Sequence, residues 1–216
     1  MDLTFIITIG APLLIIYFII KSDRFPEPTH MVIKTFMLGV LLCIPAGILN
    51  GIIIQSDEQS FIAGLTEEPL KFLVLYFYIR PKKFFNEPMD AIVYGTVISL
   101  GFATLENIEY VYLYYPETDS LLIAVIRAFT AIPMHAVSGI IMGYYFGLYA
   151  FSGKRLLLVY SLVVPIGFHA LYNFLTFSLI HMMALLILAI LFVRMKHREL
   201  SKLQANKDSE EEEKLV

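Results

Sequence analysis

The sequence predicts an all-α, polytopic membrane protein with about seven transmembrane helices, for three reasons. Of the 216 residues, 58% are hydrophobic and 16% are charged, whereas a soluble domain is about 45–50% apolar and about 25% charged. The mean hydropathy is +0.72. The apolar residues form runs of roughly 20, the length that crosses a bilayer as a helix, and short polar connections separate the runs. We therefore expect a single transmembrane helical domain over residues 1–195.

Seven apolar runs are long enough, or nearly long enough, to be membrane spans. The fifth exceeds the length that a bilayer requires, and Pro133 predicts either a kink or a first turn that lies on the membrane surface. Residues 196–216 are charged and lose apolar periodicity, so we predict a disordered cytoplasmic tail there. The predicted spans are residues 3–20, 32–54, 61–79, 89–113, 121–149, 155–177 and 178–194.

The connections between the spans are alternately basic and free of basic residues. Lys and Arg stay preferentially on the cytoplasmic side of a membrane, and the connections at residues 55–60 and 114–120 contain neither. The alternation predicts an N-terminus outside the cell and a C-terminus in the cytoplasm. The basic residues of the other connections are Lys21, Arg24, Lys34, Arg80, Lys82, Lys83, Lys154, Arg155, Arg194, Lys196 and Arg198.

Several features of the chain have a purely structural interpretation or exclude a function. No basic surface indicates nucleic-acid binding. The single cysteine, Cys43, lies in an apolar run, which favours a small core residue over a nucleophile. The N-terminus lacks the basic start of a signal peptide, so the first span is expected in the mature protein. Gly139, Gly143 and Gly147 repeat every four residues, a stripe that lets helices pack closely in lipid.

Two adjacent carboxylates interrupt the third apolar run. A charge inside a span costs about 2.5–3.5 kcal/mol on insertion scales, and the charges that are retained usually face a bundle interior or a pathway. Lys71 follows Glu67 by four residues and Glu68 by three, so the three side chains can share a helix face. Pro69 predicts a bend or an interruption beside them. The group is a candidate functional site; the alternative is a buried ion pair that only fixes helix register.

Three later spans carry polar side chains at a similar depth. At 1.5 Å per residue, Glu67, Glu68, Glu106 and His169 lie about 9–12 Å from the predicted outer ends of their spans. His135 lies about 21 Å from its end, a difference that the overlong fifth span can absorb. Polar residues that are buried independently of one another need not lie at the same depth in the membrane. Their similar depth therefore favours one shared site in the outer half of the membrane. The candidate side chains are Glu67, Glu68, Lys71, Glu106, Asn107, His135, His169 and Asn173.

Carboxylates and imidazoles in one shielded layer are suited to activating water. Glu and His act as general bases and acids, and His can also donate to an oxyanion. One Glu with two His is a ligand set of catalytic zinc that leaves a position for water, which makes His135, His169 and Glu106 candidate ligands. A Zn²⁺ mechanism and a metal-free mechanism are equally compatible with these residues. Either would hydrolyse a peptide bond.

Five short motifs follow one another along the chain. They are Phe25-Pro26-Glu27-Pro28, Glu67-Glu68-Pro69-Leu70-Lys71, Gly101-Phe102-Ala103-Thr104-Leu105-Glu106-Asn107, Pro133-Met134-His135-Ala136 and His169-Ala170-Leu171-Tyr172-Asn173. Together they resemble the PrsW family of bacterial intramembrane proteases, over roughly residues 10–178. The resemblance implies a multi-pass protein of the bacterial cell membrane. It also implies site-1 cleavage of a membrane-spanning anti-sigma factor in a stress response.

The resemblance extends more distantly to CAAX-prenyl and abortive-infection proteases, with two departures. Glu106 stands where those relatives place His, and Lys71 stands in place of Arg at a shorter spacing. We therefore state the roles as hypotheses: Glu67 or Glu68 deprotonates a water that His135 and His169 position or hold on a metal ion. The remaining roles are Asn173 at the oxyanion, Glu106 as a ligand or orienter, Lys71 as a counter-charge and Asn107 as support.

Three other hypotheses remain open from the sequence. An ion-coupled transporter could use the same Glu and His layer to relay protons or bind a cation, but no corresponding broken segments occur in two halves of the chain. A CAAX-type prenyl protease would use similar residues on another substrate. A membrane scaffold with a polar core is the third hypothesis, but it does not explain why the Glu and His side chains lie at a common depth.

Overall fold

In the computed structural model, every regular element of the part of the chain that it describes is a helix, which confirms the predicted fold class. It describes residues 2–114 and 119–213, with side chains of the last helix as far as Lys202 and at Gln204. The α-helices are α1 Leu3–Ser22, α2 Thr29–Ile53, α3 Ala63–Leu73, α4 Pro88–Glu109, α5 Ser120–Phe129, α6 Ala131–Ser152, α7 Arg155–Phe174 and α8 Leu179–Glu213. Asp57–Ile62 and Leu175–Phe177 are 3₁₀ turns, while Val74–Ile79 and Tyr110–Tyr114 continue α3 and α4 as π-helix.

Six helical segments within the described residues are long and apolar enough to cross a membrane. The predicted third span, residues 61–79, is a shorter element, because α3 has 11 residues and its π-helical continuation has 6. The prediction of about seven spans is therefore close. The six segments are Leu3–Ser22, Thr29–Ile53, Pro88–Tyr114, Ser120–Ser152, Arg155–Phe177 and Leu179–Lys202.

Two prolines affect their helices differently from what the sequence predicts. α3 continues through Pro69 to Leu73 and only then widens into the π-helix, because a proline removes just one helix hydrogen bond. Pro133 is the third residue of α6, where backbone N–H groups have no partner within the helix in any case. The predicted fifth span is instead divided at Thr130, whose φ of −124° and ψ of −75° separate α5 from α6.

α4 is the centre of the bundle and packs against α1, α2 and α6. It is buried along most of its length, so its hydroxyl groups must find partners within the protein. Thr96 and Thr104 each donate to the carbonyl oxygen four residues earlier, at 2.7 Å. On α6, a Cβ added to Gly139 would lie 2.7 Å from the carbonyl oxygen of Gly95, and one on Gly143 would collide with that of Ala91. The glycine stripe is therefore a packing surface, as predicted.

The ends of α1, α4 and α8 meet at the side of the bundle that is predicted to face the cytoplasm. The Ser22 hydroxyl lies 2.8 Å from Nε2 of His197. Gln204 donates to Asp23 Oδ1 at 3.1 Å and also to the Glu87 carboxylate. Burial raises the pKa of the Asp23 carboxyl. The first connection, the third connection and the end of α8, which the predicted topology places on one side of the membrane, thus lie together, while the orientation in the membrane stays a prediction.

α8 extends beyond the predicted membrane domain. The sequence predicts disorder from residue 196 onward, but the helix continues to Glu213. Leu200 is 2% exposed and Gln204 is 6% exposed, because their side chains pack on the ends of the neighbouring helices rather than in solvent. The division into residues 1–195 and 196–216 stays a prediction.

Candidate active site

A cavity of about 430 Å³ opens at the end of the bundle that is predicted to face outward. Helices α2 to α7 contribute to its walls. Five of the predicted site residues border it, from four different helices, whereas Glu68, Lys71 and Asn107 lie behind them. Polar side chains on its walls include Glu67, Glu106, Arg127, His135, His169 and Asn173.

Glu67 presents a carboxylate to the cavity. Its Oε1 accepts a hydrogen bond of 3.1 Å from the Asn50 amide of α2. Its Oε2 has no hydrogen-bond partner among the described residues, although the side chain is only 3% exposed. This oxygen lies 3.6 Å from Lys71 Nζ and 4.0 Å from His169 Nδ1. Asn50 therefore fixes the carboxylate through Oε1 and leaves Oε2 available to accept a hydrogen bond.

Glu68 is fully buried behind the cavity wall and binds two other side chains of the site. Its Oε1 accepts from Lys71 Nζ at 2.8 Å and from His169 Nδ1 at 2.9 Å. A carboxylate accepts only, so Nδ1 of His169 carries the ring proton in this contact and Nε2 keeps its lone pair. His169 borders the cavity. The imidazole is thus held in the tautomer that can accept a proton or bind a metal ion on its other nitrogen.

His135 has both ring nitrogens occupied. Nδ1 lies 3.1 Å from Lys71 Nζ, and Nε2 lies 3.0 Å from Glu106 Oε2. Because an ammonium group only donates, Nδ1 accepts and Nε2 donates to the carboxylate. The two imidazole rings are 5.3 Å apart between centroids. His135 connects Lys71 to Glu106, and in this arrangement it has no free lone pair for a metal ion.

Arg127 is a member of the site that the sequence interpretation missed. It lies on α5 and donates from Nη2 to Glu106 Oε2 at 2.6 Å and from Nε to Asn107 Oδ1 at 2.7 Å. Its guanidinium carbon lies 3.9 Å from the centre of the Tyr110 ring. A signal was present, because Arg127 is a charge inside a predicted span, the same criterion that identified Glu67.

The two predicted asparagines form hydrogen bonds with groups other than the imidazoles. Asn107 is fully buried, and its amide donates to the carbonyl oxygen of Thr8 at 2.9 Å while it accepts from Arg127. Asn173 borders the cavity, but its amide donates to the carbonyl oxygen of Ser60 at 3.0 Å. Asn173 therefore ties α7 to the 3₁₀ turn before α3, and the tautomer of His169 is set by Glu68 instead.

The donor groups fit a divalent metal ion. Glu67, Glu68, His135 and His169 each offer a ligand atom, and these atoms lie within 4.8 Å of one another. Both Glu67 Oε2 and Glu68 Oε2 are buried without a hydrogen-bond partner among the described residues. Two Glu and two His suit Zn²⁺. The ammonium of Lys71 now contacts the same groups, so a bound ion would require Lys71 to withdraw.

Comparison with known proteins places the chain in a family. The family described as PrsW family intramembrane metalloprotease matches residues 27–195. A protein named Protease PrsW from Bacillus subtilis (strain 168) is 38% identical over 176 residues, which cover 77% of this chain and 78% of that protein. A Protease PrsW from Geobacillus kaustophilus is 37% identical over 171 residues, covering 75% and 74%. The protein of the same name from Clostridioides difficile is 34% identical over 179 residues, covering 76% and 75%. No solved structure matches this chain.

Proposed function

Because this chain belongs to the PrsW family of intramembrane metalloproteases, we propose that it makes the site-1 cut in a membrane-spanning anti-sigma factor. The chain is a multi-pass peptidase of a bacterial membrane. Peptidase activity, rather than ion transport or a scaffold role, follows from the family. The anti-sigma factor as substrate and the residue roles below are the proposal.

The observation that carries the proposal is that Glu67 and His169 border one cavity with acceptor atoms available. Glu67 Oε2 has no hydrogen-bond partner among the described residues, and His169 is held through Nδ1. A water molecule between them would lose a proton to Glu67 as it attacks the peptide carbonyl. The Glu67 carboxyl can then pass this proton to the leaving amine, either directly or by way of the Nε2 lone pair of His169. Both groups are present before substrate binds, so little reorganisation is needed.

The other charged side chains hold these two groups in place. Glu68 orients His169 and is neutralised by Lys71. Glu106 orients His135 and is neutralised by Arg127. Arg127 also borders the cavity, where its positive charge stabilises the oxyanion that forms on the attacked carbonyl. We assign the oxyanion to Arg127 rather than Asn173, whose amide is already bonded to a backbone carbonyl.

A metal ion, where present, would be held by Glu67, Glu68, His135 and His169, with Lys71 withdrawn from these groups. A bound Zn²⁺ supplies a Lewis acid that makes water a better nucleophile. The three carboxylates of the site face two cationic side chains, Lys71 and Arg127. The site thus carries one more negative than positive charge when all five groups are ionised and the imidazoles are neutral, which favours a further cation.

The proposal is tested by co-expression with a membrane-spanning anti-sigma factor. We expect Glu67→Gln, Glu68→Gln and His169→Ala each to lower cleavage by roughly 10²–10⁴-fold, the contribution of a positioned acid or base. The control is Glu58→Gln, a conservative change at an exposed residue of the 3₁₀ turn, which should cleave like the wild type. Full cleavage by the three variants at normal expression would reject the residue roles. No cleavage by the wild type would reject the anti-sigma factor as substrate.

A further inference from the structure

α2 packs extensively against α4, and the two backbones meet directly at a pair of glycines. A Cβ added to Gly39 of α2 would collide with the carbonyl oxygen of Ile98, and one on Gly101 of α4 would collide with that of Phe36. The backbones are therefore in direct contact at this crossing. Cys43 and Phe102 belong to a small apolar cluster one turn further along. Past that cluster, residues of both helices border the cavity, where Cys43 Sγ donates to Glu109 Oε2 at 3.7 Å.

The α2 wall of the cavity has unusually little side-chain bulk. Gly47 and Gly51 lie one turn apart, border the cavity and are exposed. A Cβ added to either would have no heavy atom within 4 Å. These glycines differ from Gly39, because no neighbouring helix requires their small size. The open space beside them is part of the molecule's surface and continues into the cavity.

The facing wall comes from the end of α4 and its π-helical continuation. Glu109, Tyr110 and Tyr114 border the cavity there. Arg127 stacks on Tyr110 and holds Glu106. The carboxylate of Glu67 lies at the inner end of the same space, with an oxygen that has no hydrogen-bond partner among the described residues. The part of the cavity between α2 and α4, called the cleft below, therefore leads from the outer surface of the bundle to Glu67 and Glu106.

We propose that the transmembrane span of the substrate enters between α2 and α4 and lies against Gly47 and Gly51. This inference rests on the proposed function, since it concerns the substrate of the same site. A membrane-embedded peptide bond can reach Glu67 without leaving the bilayer only through an opening in the side of the bundle. The two glycines leave room for the approaching backbone, as small residues do where helices meet closely in lipid.

Cross-linking tests the position of the substrate directly. Cys43 is the single cysteine of the chain, so Cys43→Ala combined with Gly47→Cys gives one reactive thiol in the cleft. The probe is a single-span anti-sigma factor with cysteines placed one at a time along its span, in a Glu67→Gln background that prevents cleavage. We expect strong disulfide formation at Gly47→Cys. The control is Gly10→Cys on α1, which also has no atom within 4 Å of its Cβ but lies outside the cavity.

A steric series gives an independent measurement. A Cβ at Gly47 or Gly51 meets no heavy atom within 4 Å, so we expect the thermal unfolding temperatures of Gly47→Leu and Gly51→Leu to match the wild type while their side chains fill the cleft. We expect their cleavage rates to fall roughly 10- to 100-fold, in line with the cost of displacing a substrate from its reactive position. Gly10→Leu should cleave like the wild type.

The outcomes separate this inference from the proposed function. Wild-type cleavage at Gly47→Leu, or equal cross-linking at Gly47→Cys and Gly10→Cys, would overturn the substrate cleft and leave the catalytic roles standing. If the wild type does not cleave the anti-sigma factor, the proposed function fails. The cross-linking pattern still tests whether this span binds in the cleft.

Discussion

Glu67 and Glu68 are adjacent in sequence but occupy different environments. Glu67 borders the cavity and is bonded to Asn50, whereas Glu68 is fully buried and bonded to Lys71 and His169. Successive residues of a helix point about 100° apart, so the pair contributes one group to the cavity and one to its support. This separation supports the proposal that Glu67 activates the water and that Glu68 orients His169.

Lys71 is the positive charge that balances the carboxylates of Glu67 and Glu68. It is 1% exposed and contacts Glu68 at 2.8 Å and Glu67 at 3.6 Å. We predict that Lys71→Met lowers the free energy of unfolding by about 3–5 kcal/mol, because it leaves a buried carboxylate uncompensated. Adding Glu68→Gln to Lys71→Met should recover part of that loss. Denaturant unfolding of the purified variants in detergent measures both changes.

The surface offers a matched control for this ion pair. Lys196 and Glu199 are also three residues apart and 3.0 Å from each other, but the pair is exposed. Lys196→Met should change the free energy of unfolding by less than about 1 kcal/mol. Equal effects of Lys71→Met and Lys196→Met would contradict the structural role assigned to Lys71.

Helix packing around α4 places the candidate site residues His135 and Glu106 within hydrogen-bond distance of each other. α6 carries His135 and lies against α4, which carries Glu106, through the stripe of Gly139, Gly143 and Gly147. The backbones approach so closely that no side chain fits between them at these positions. The register of α6 on α4, and with it the bond between His135 and Glu106, depends on that contact.

We predict that Gly143→Ala destabilises the protein by about 1–3 kcal/mol, the usual effect of overpacking. Its added Cβ would meet the backbone of Ala91 and Ile92. Gly10→Ala is the control, since nothing lies within 4 Å of its Cβ and alanine favours a helix over glycine. Thermal unfolding in detergent distinguishes them. An unchanged unfolding temperature for Gly143→Ala would show that α4 and α6 are not in direct backbone contact.

The sequence predicted the long helices better than it predicted the breaks within them. Apolar runs and loop charge gave the long spans, because transmembrane length and charge are properties of local sequence. The π-helix after α3 and the break at Thr130 depend on packing with other helices, which no local pattern shows. The depth of Glu67, Glu106 and His169 in their spans was enough to predict one shared site. Asn50 was missed because a single amide near the end of a span resembles an ordinary interfacial residue.

At the scale of the whole molecule, the site lies near one face of the membrane domain. Asn50, Ser60 and Asn173 lie at that end, and Asp23, Glu87 and Gln204 lie at the other. The loop charges predict that the site end faces outward. Under the proposed function, a substrate span bound in the same bilayer would then be cut in its outer half.

The most direct measurement is the cleavage position in proteoliposomes that contain only purified enzyme and a single-span anti-sigma factor. Mass spectrometry of the fragments should show one cut in the outer half of the substrate span for the wild type, and uncut substrate for Glu67→Gln. Cleavage that persists in Glu67→Gln, or a cut in the cytoplasmic half of the span, would contradict water activation by Glu67 in a cavity beneath the outer face.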